Sequence, residues 1–243
     1  MNAQEDKAIE FKEVSYALNG TQILHNLTGS FLKGAITTVV GPSGAGKTTV
    51  FRLCNGLKSP NAGDIYIHEK HINSYDPVEL RRNVGIALQD ATMIPGSVRD
   101  NLELPLKLQG KTLPDDKAES LLQLVGLEKT FLNRNNKDLS GGQRQKLSIA
   151  RTLVNRPDIL LLDEITSSLD NVSQQDIEQL IKRINSEYGT TIVWITHNLE
   201  QALDVGLYTW VMMGGELIES GKSDFLKNPK NDRVRHFVKG EVE

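Results

Sequence analysis

Eight consecutive residues, Gly41-Pro42-Ser43-Gly44-Ala45-Gly46-Lys47-Thr48, fit the pattern G-x-x-x-x-G-K-[ST] in full. Glycines at these spacings let successive backbone N–H groups turn inward around the β- and γ-phosphates of a nucleotide. Lys47 adds a point charge that reaches the same phosphates, and the Thr48 hydroxyl is placed to ligate Mg²⁺. A second run, Ile159-Leu160-Leu161-Leu162-Asp163-Glu164, is an apolar strand that ends in two acids. Asp163 suits Mg²⁺, a cation that keeps several waters and takes few carboxylates. Glu164, one residue on, can face the γ-phosphate and orient an attacking water. A third run, Leu139-Ser140-Gly141-Gly142-Gln143, opens a helix: Ser140 can cap it, and the two glycines leave N–H groups bare at its N-terminus. Two phosphate-binding N-termini in one chain call for two ligands, or for one ligand held between two chains.

These groups need elements to position them. Residues 8–16 alternate apolar and polar, which predicts a strand, and Ile23 to Phe31 continues in extended form. Ala35 to Val40 is a β-branched run that enters the glycine-rich turn, and a helical pattern follows from Lys47 to about Leu57. Further strands are expected at Gly63 to Ile67, Val84 to Leu88, Ile159 to Leu162, Thr190 to Ile195 and Leu207 to Met213, with a helix at Val172 to Tyr188. Helical spacing marks Lys117 to Val125 and Gln143 to Val154, and short helices are expected at Asp224 to Leu226 and Val234 to Val238. Strands alternating with helices predict a mainly parallel sheet, with the helical stretch inserted into it.

The order of these motifs resembles the ATP-binding subunits of ABC transporters over about Ile9 to Gly221, with Leu-Ser-Gly-Gly-Gln as the signature. The resemblance implies an α/β phosphate-loop NTPase (RecA-like) fold: a parallel-sheet core, an antiparallel β subdomain and an inserted α-helical subdomain. One ATPase domain would span 1–243, with an ATP-binding core at 1–88 and 156–243 and a helical lobe at about 89–155. It implies ATP and Mg²⁺ as ligands, bound by Gly41 to Thr49 and, from a second chain, by Ser140, Gly141, Gly142 and Gln143. Tyr16 falls where the family has an aromatic that stacks on adenine, and Gln89 matches the glutamine that touches Mg²⁺ and senses the γ-phosphate. Asp170, in Ser167-Ser168-Leu169-Asp170, matches the loop at the dimer interface, and His197 matches the histidine on the γ-phosphate. Catalysis then falls to Glu164, His197, Gln89 and Lys47, and metal binding to Thr48, Gln89 and Asp163. Ile165 stands where most members have proline, so the turn lacks the fixed φ that proline supplies.

Composition narrows the setting. Lys and Arg number 28 against 31 Asp and Glu, so the chain lacks the basic balance of a whole-surface nucleic-acid binder. One cysteine, Cys54, excludes an internal disulfide and a cysteine-based metal site; its apolar neighbours place it in the core. No apolar run approaches the roughly 20 residues of a membrane span, and Met1 to Lys7 is polar, without a signal core. His68 and His71 are expected to flank a turn, Trp194 and Trp210 to lie in the core or at an interface, and Glu178, Lys182 and Arg183 to form a solvated helix face with i,i+4 pairing.

The resemblance therefore implies an ATP-hydrolysing transport subunit that pairs with a second copy of itself. It would sit at the cytoplasmic face of the membrane without inserting into it, on separate transmembrane permease subunits, with no nucleic-acid partner. The segment Asp90 to Leu104, with the apolar run Met93 to Val98, is the expected docking surface. Leu88 to Leu102 and Asp163 to Asp170 look most like ATPases linked to iron efflux and metal tolerance, and also resemble phosphate importers. A soluble assembly ATPase is the alternative of another class. A small phosphate-loop kinase would leave Leu139 to Gln143 and His197 unexplained.

Overall fold

The computed structural model describes residues 6–241; the polar start of the chain, Met1 to Glu5, lies outside them. In chain order the elements are β1 (Lys7–Leu18), β2 (Thr21–Leu32), β3 (Ile36–Val40), α1 (Lys47–Cys54), β4 (Ala62–Ile67), β5 (Lys70–His71), α2 (Pro77–Asn83), β6 (Val84–Ala87) and α3 (Val98–Lys107). They continue with α4 (Asp115–Leu124), α5 (Gly141–Leu153), β7 (Ile159–Asp163), α6 (Asn171–Tyr188), β8 (Thr191–Ile195), α7 (Leu199–Val205), β9 (Tyr208–Met213), β10 (Glu216–Lys222) and α8 (Asp232–Val238).

The described residues form two sheets. One is antiparallel, in the order β2-β1-β4-β5; the other runs β10-β9-β3-β8-β7-β6 and is parallel except for β10 at its edge. Strands β3, β7 and β8 are buried along their whole length, because both faces of a parallel sheet are covered. Alternate residues serve opposite layers. Ile159 and Leu161 join the cluster under the antiparallel sheet, whereas Leu160 and Leu162 join the helical side with α3 to α6. An aromatic group of Phe11, Phe31 and Trp210 knits the two sheets, with ring centroids 4.2 to 5.8 Å apart. Each such ring contributes about 1.5–3 kcal/mol on full burial.

Several expectations shift for local reasons. Helix α1 ends at Cys54 rather than near Leu57, because Gly56 turns left-handed at φ +67° and Leu57 points to solvent. Patterning did not reveal α2, α7 or β10, which are short or only half-buried. His68 forms the turn between β4 and β5 with Glu69, and His71 bonds Asp64 at 3.1 Å. Cys54, Trp194 and Trp210 are buried. Glu178 does not share the solvated face: it turns inward to accept hydrogen bonds from Gln174 and Gln201, at 2.8 and 2.7 Å. Ile165, in place of proline, is 1% exposed and packs into the helical-side core, so burial of its side chain anchors the turn.

Candidate functional site

The parallel strands all point the same way, so the loops at their carboxyl ends gather along one edge. The phosphate loop leaves β3. His197 follows β8, Asp163 and Glu164 end and follow β7, and Gln89 follows β6. Since β3, β8, β7 and β6 are successive neighbours, the sheet order alone brings these groups together.

Within the loop, Gly41 adopts φ +146°, and a Cβ there would lie 1.9 Å from the Met212 carbonyl oxygen. Gly44 has φ +76° with open space around it. Lys47 is buried; its ammonium donates to the Gly41 carbonyl at 2.7 Å and the Pro42 carbonyl at 2.8 Å. Burial pushes its pKa down, opposed by the negative charges of Glu164 and Asp163. The Thr48 hydroxyl donates to Asp163 Oδ1 at 3.3 Å. Burial raises the pKa of the Asp163 carboxyl, and the Thr48 hydrogen bond partly offsets that. A hydroxyl and a single buried carboxylate are hard oxygen donors, a set that fits Mg²⁺ completed by phosphate oxygens and water.

Glu164 has φ +51°, left-handed for a residue other than glycine, a conformation that costs about 1–3 kcal/mol. Three bonds hold it: its N–H donates to the Ile195 carbonyl at 3.1 Å, and its own carbonyl accepts from the Ser167 N–H at 3.1 Å and the Ser167 hydroxyl at 3.0 Å. The turn aims Glu164 Oε1 at His197 Nε2, 2.6 Å away. Gln89 donates to the same Ser167 hydroxyl at 3.1 Å. Ser167 therefore links the β6 and β7 ends.

A cleft of about 510 Å³ opens at this edge, lined by Ser43 to Thr49, Glu164 and His197 and walled by Thr21, Gln22, Ile23 and Gly214; Asp163 and Gln89 do not line it. Patterning along β2 identifies a strand but gives no sign that its first residues reach the phosphate loop. The β1–β2 hairpin brings them there, tied down by the His25 N–H on the Gly215 carbonyl at 3.0 Å.

Tyr16 is not part of this wall. It is 7% exposed, packs in the core under the antiparallel sheet, and its hydroxyl accepts from Lys58 Nζ at 2.6 Å. The exposed apolar residue at that end of β1 is Leu18, 45% exposed and paired in register with Thr21 of the cleft wall. The expectation of adenine stacking on Tyr16 is therefore corrected: its ring is packed into the core and its hydroxyl is taken by Lys58.

The second anion-binding motif stands apart. Ser140 caps α5 through a reciprocal box with Gln143, at 3.2 and 2.9 Å, and Asp170 caps α6 through Ser173. Gly142 packs against Ser173, whereas Gly141 has no neighbour closer than Leu169, 3.7 Å from its would-be Cβ. None of Ser140, Gly141, Gly142, Gln143 or Asp170 lines the cleft. In the expected docking run Met93 to Ser97 are partly or fully exposed and Val98 is buried, and Asn101 and Asn136 pin Ile94 and Gly96 by their backbone groups.

A parallel sheet with a glycine-rich loop after one strand and paired acids after another defines a phosphate-loop nucleotide hydrolase. The ABC transporter family profile matches residues 24–167. A putative ABC transporter ATP-binding protein of Bacillus subtilis (strain 168), YjkB, is 43% identical over 98% of this chain and 96% of its own length. The phosphate import ATP-binding protein PstB 2 of Lactobacillus johnsonii is 36% identical, covering 97% and 98%. The solved post-hydrolysis dimer of the ATP-binding cassette MJ0796, bound to ADP and Pi, superposes with a TM-score of 0.78 at 31% identity, over 88% of this chain and 98% of that one. The chain belongs to the ABC transporter family and is an ABC-type ATPase.

Proposed function

We propose that this chain is the motor subunit of a small-solute importer, and that two copies close head to tail over Mg-ATP. The observation that carries the pairing is the separation of two phosphate-binding ends: the cleft holds the loop, Glu164 and His197, while the N-terminus of α5, with Gly141 open to approach, lies outside it. A second chain would supply that N-terminus to the first chain's nucleotide. The dimeric state of the MJ0796 cassette supports the pairing, and the phosphate-import relative supports phosphate or a similar small solute as cargo. The iron-efflux reading draws no support from these relatives.

The residues divide the work. Gly41 to Thr49 cradle the phosphates, and Lys47 exchanges its two carbonyl partners for phosphate oxygens. Thr48, Asp163 and Gln89 would hold Mg²⁺, which when bound neutralises phosphate charge. Glu164 orients the attacking water and takes its proton, and His197 contacts the γ-phosphate while holding Glu164 in place. In the full-length chain, Glu164→Gln should bind ATP, dimerise and hydrolyse it at no more than about a hundredth of the wild-type rate. Normal turnover would overturn the assignment of the base.

Among the described residues no helix is long and apolar enough to cross a membrane. Docking on separate membrane subunits is supported by a second groove of about 450 Å³ between α2, β6, α3 and α5. Val78, Leu104 and Leu108 give it apolar walls, and Arg81, Arg82 and Arg151 give it positive charge. It suits a short amphipathic helix with acidic residues. Leu108, 79% exposed, is the probe: Leu108→Asp should abolish co-purification with membranes while ATP binding persists. Retained membrane recovery would remove this groove from the reading.

A further inference from the structure

We propose that Gln201 is a positioning residue for ATP hydrolysis, one that fixes from beneath the site the spacing between the strand ends carrying Glu164 and His197. The inference rests on the roles given to those two residues above. Gln201 lies on α7, four residues after His197, and is 3% exposed. Its side-chain amide meets the Thr166 hydroxyl, with Nε2 at 3.2 Å and Oε1 at 3.4 Å, and Nε2 also donates to Glu178 Oε1 at 2.7 Å. Thr166 is two residues beyond Glu164 and 6% exposed, and Glu178 stands on α6. One buried amide therefore ties the β8 end, the β7 end and α6 together. Its own backbone is fixed as well: Gln201 N–H donates to Asn198 Oδ1 at 3.1 Å, and Asn198 N–H donates to Thr196 Oγ1 at 3.0 Å.

Packing alone does not account for these polar groups, because a matched pair of apolar side chains would fill the same space at little or no cost in stability. Geometry at the site does account for them. Glu164 is held in a left-handed conformation, and its partner His197 arrives from a different strand. Backbone pairing joins the two strands as far as the Glu164 N–H on the Ile195 carbonyl; past that point the loops are joined by two side-chain bonds, Glu164–His197 and Thr166–Gln201. Without the second, the His197 side is free to shift against Glu164, and a misplacement of about 1 Å at a reacting group costs up to about 100-fold in rate.

The test uses Gln201→Met and Thr166→Val, which remove the polar ends at nearly constant volume, and Thr166→Ser, which keeps the hydroxyl. Gln201→Met is expected to lower kcat for ATP about 10-fold or more with KM and ATP affinity within about twofold, since the phosphate loop shares none of these bonds. The double variant Gln201→Met/Thr166→Val leaves neither member of the Thr166–Gln201 pair buried without its partner, so it should regain part of the Tm lost in either single variant, with Glu178 Oε1 still held by Gln174 alone, and keep the low kcat. Thr166→Ser should keep the wild-type kcat. The inference is overturned by a wild-type kcat in Gln201→Met, by a KM that moves with kcat, by a Thr166→Ser variant as slow as Thr166→Val, or by a double variant that recovers kcat together with Tm. Glu164→Gln, measured alongside, separates the two claims. If it turns over normally, the reading of Glu164 falls and takes this inference with it. If it is inactive while Gln201→Met is normal, the inference alone falls.

Discussion

Residues 16 and 18 lie two apart on one strand, and the structure assigns them opposite consequences on substitution. Tyr16 is 7% exposed, with the Lys58 ammonium 4.7 Å above its ring and bonded to its hydroxyl. Tyr16→Leu removes buried ring volume and one charged hydrogen bond, so it should cost about 2 kcal/mol, a fall of about 4–8 °C in Tm for a chain of this size. Well below that Tm, ATP affinity should stay within twofold of wild type. Leu18 is 45% exposed beside the cleft wall. Full burial of a leucine is worth about 1.5–3 kcal/mol, so covering the exposed part with adenine is worth about 1 kcal/mol. Leu18→Ala should therefore weaken ATP binding about fivefold with little change in Tm. Leu18→Tyr adds a stacking surface worth about 0.5–1.5 kcal/mol and should tighten binding two- to tenfold. Isothermal titration and thermal scanning on the same preparations read both quantities. A tenfold loss of affinity in Tyr16→Leu, with Leu18→Ala neutral, would refute the inward placement of the ring.

Further outcomes follow from the geometry and from burial. Gly41→Ala drives a Cβ to within 1.9 Å of the Met212 carbonyl, a backbone atom that cannot swing aside, and should cost about 3 kcal/mol or more. Gly44→Ala, in open space, should cost only the left-handed conformation, about 1–2 kcal/mol, as compared by chemical denaturation. Asp163→Asn should raise the nucleotide-free Tm, by about 1 kcal/mol in stability, because it relieves a buried carboxylate, and should abolish the Mg²⁺ dependence of ATP binding. Burial holds the folded Asp163 carboxyl above its unfolded pKa, so the folded wild type takes up its proton first as pH falls. Wild-type stability then gains on the variant from neutral toward acid pH, and thermal scans should show the Tm gap closing. Burial pushes the Cys54 thiol far up, so the native chain should resist thiol reagents that label it rapidly in denaturant.

Motifs made of adjacent residues were legible in the sequence because their chemistry is local. The phosphate loop needs only its own backbone to form a cradle, and Ser140 with Gln143 closes a capping box within one turn. The buried strands were legible because a run such as Ile159 to Leu162 has no polar face to present to water. Half-buried elements such as α2 and α7 were not, since their few buried positions leave no clear period. Gln201 carries no signal at all: an isolated glutamine on a short helix acquires meaning only when Thr166 and Glu178 are brought to it.

The sequence by itself therefore determined which phosphate chemistry this protein carries and the order of its strands and motifs. Tertiary structure decided what those motifs meet. Strand order in space, which no local pattern encodes, placed His197 against Glu164. Packing buried Tyr16 in the core under the antiparallel sheet and left Leu18, at the hairpin end of the same strand, exposed beside the cleft wall, because burial depends on what is folded over each position and not on the strand pattern alone.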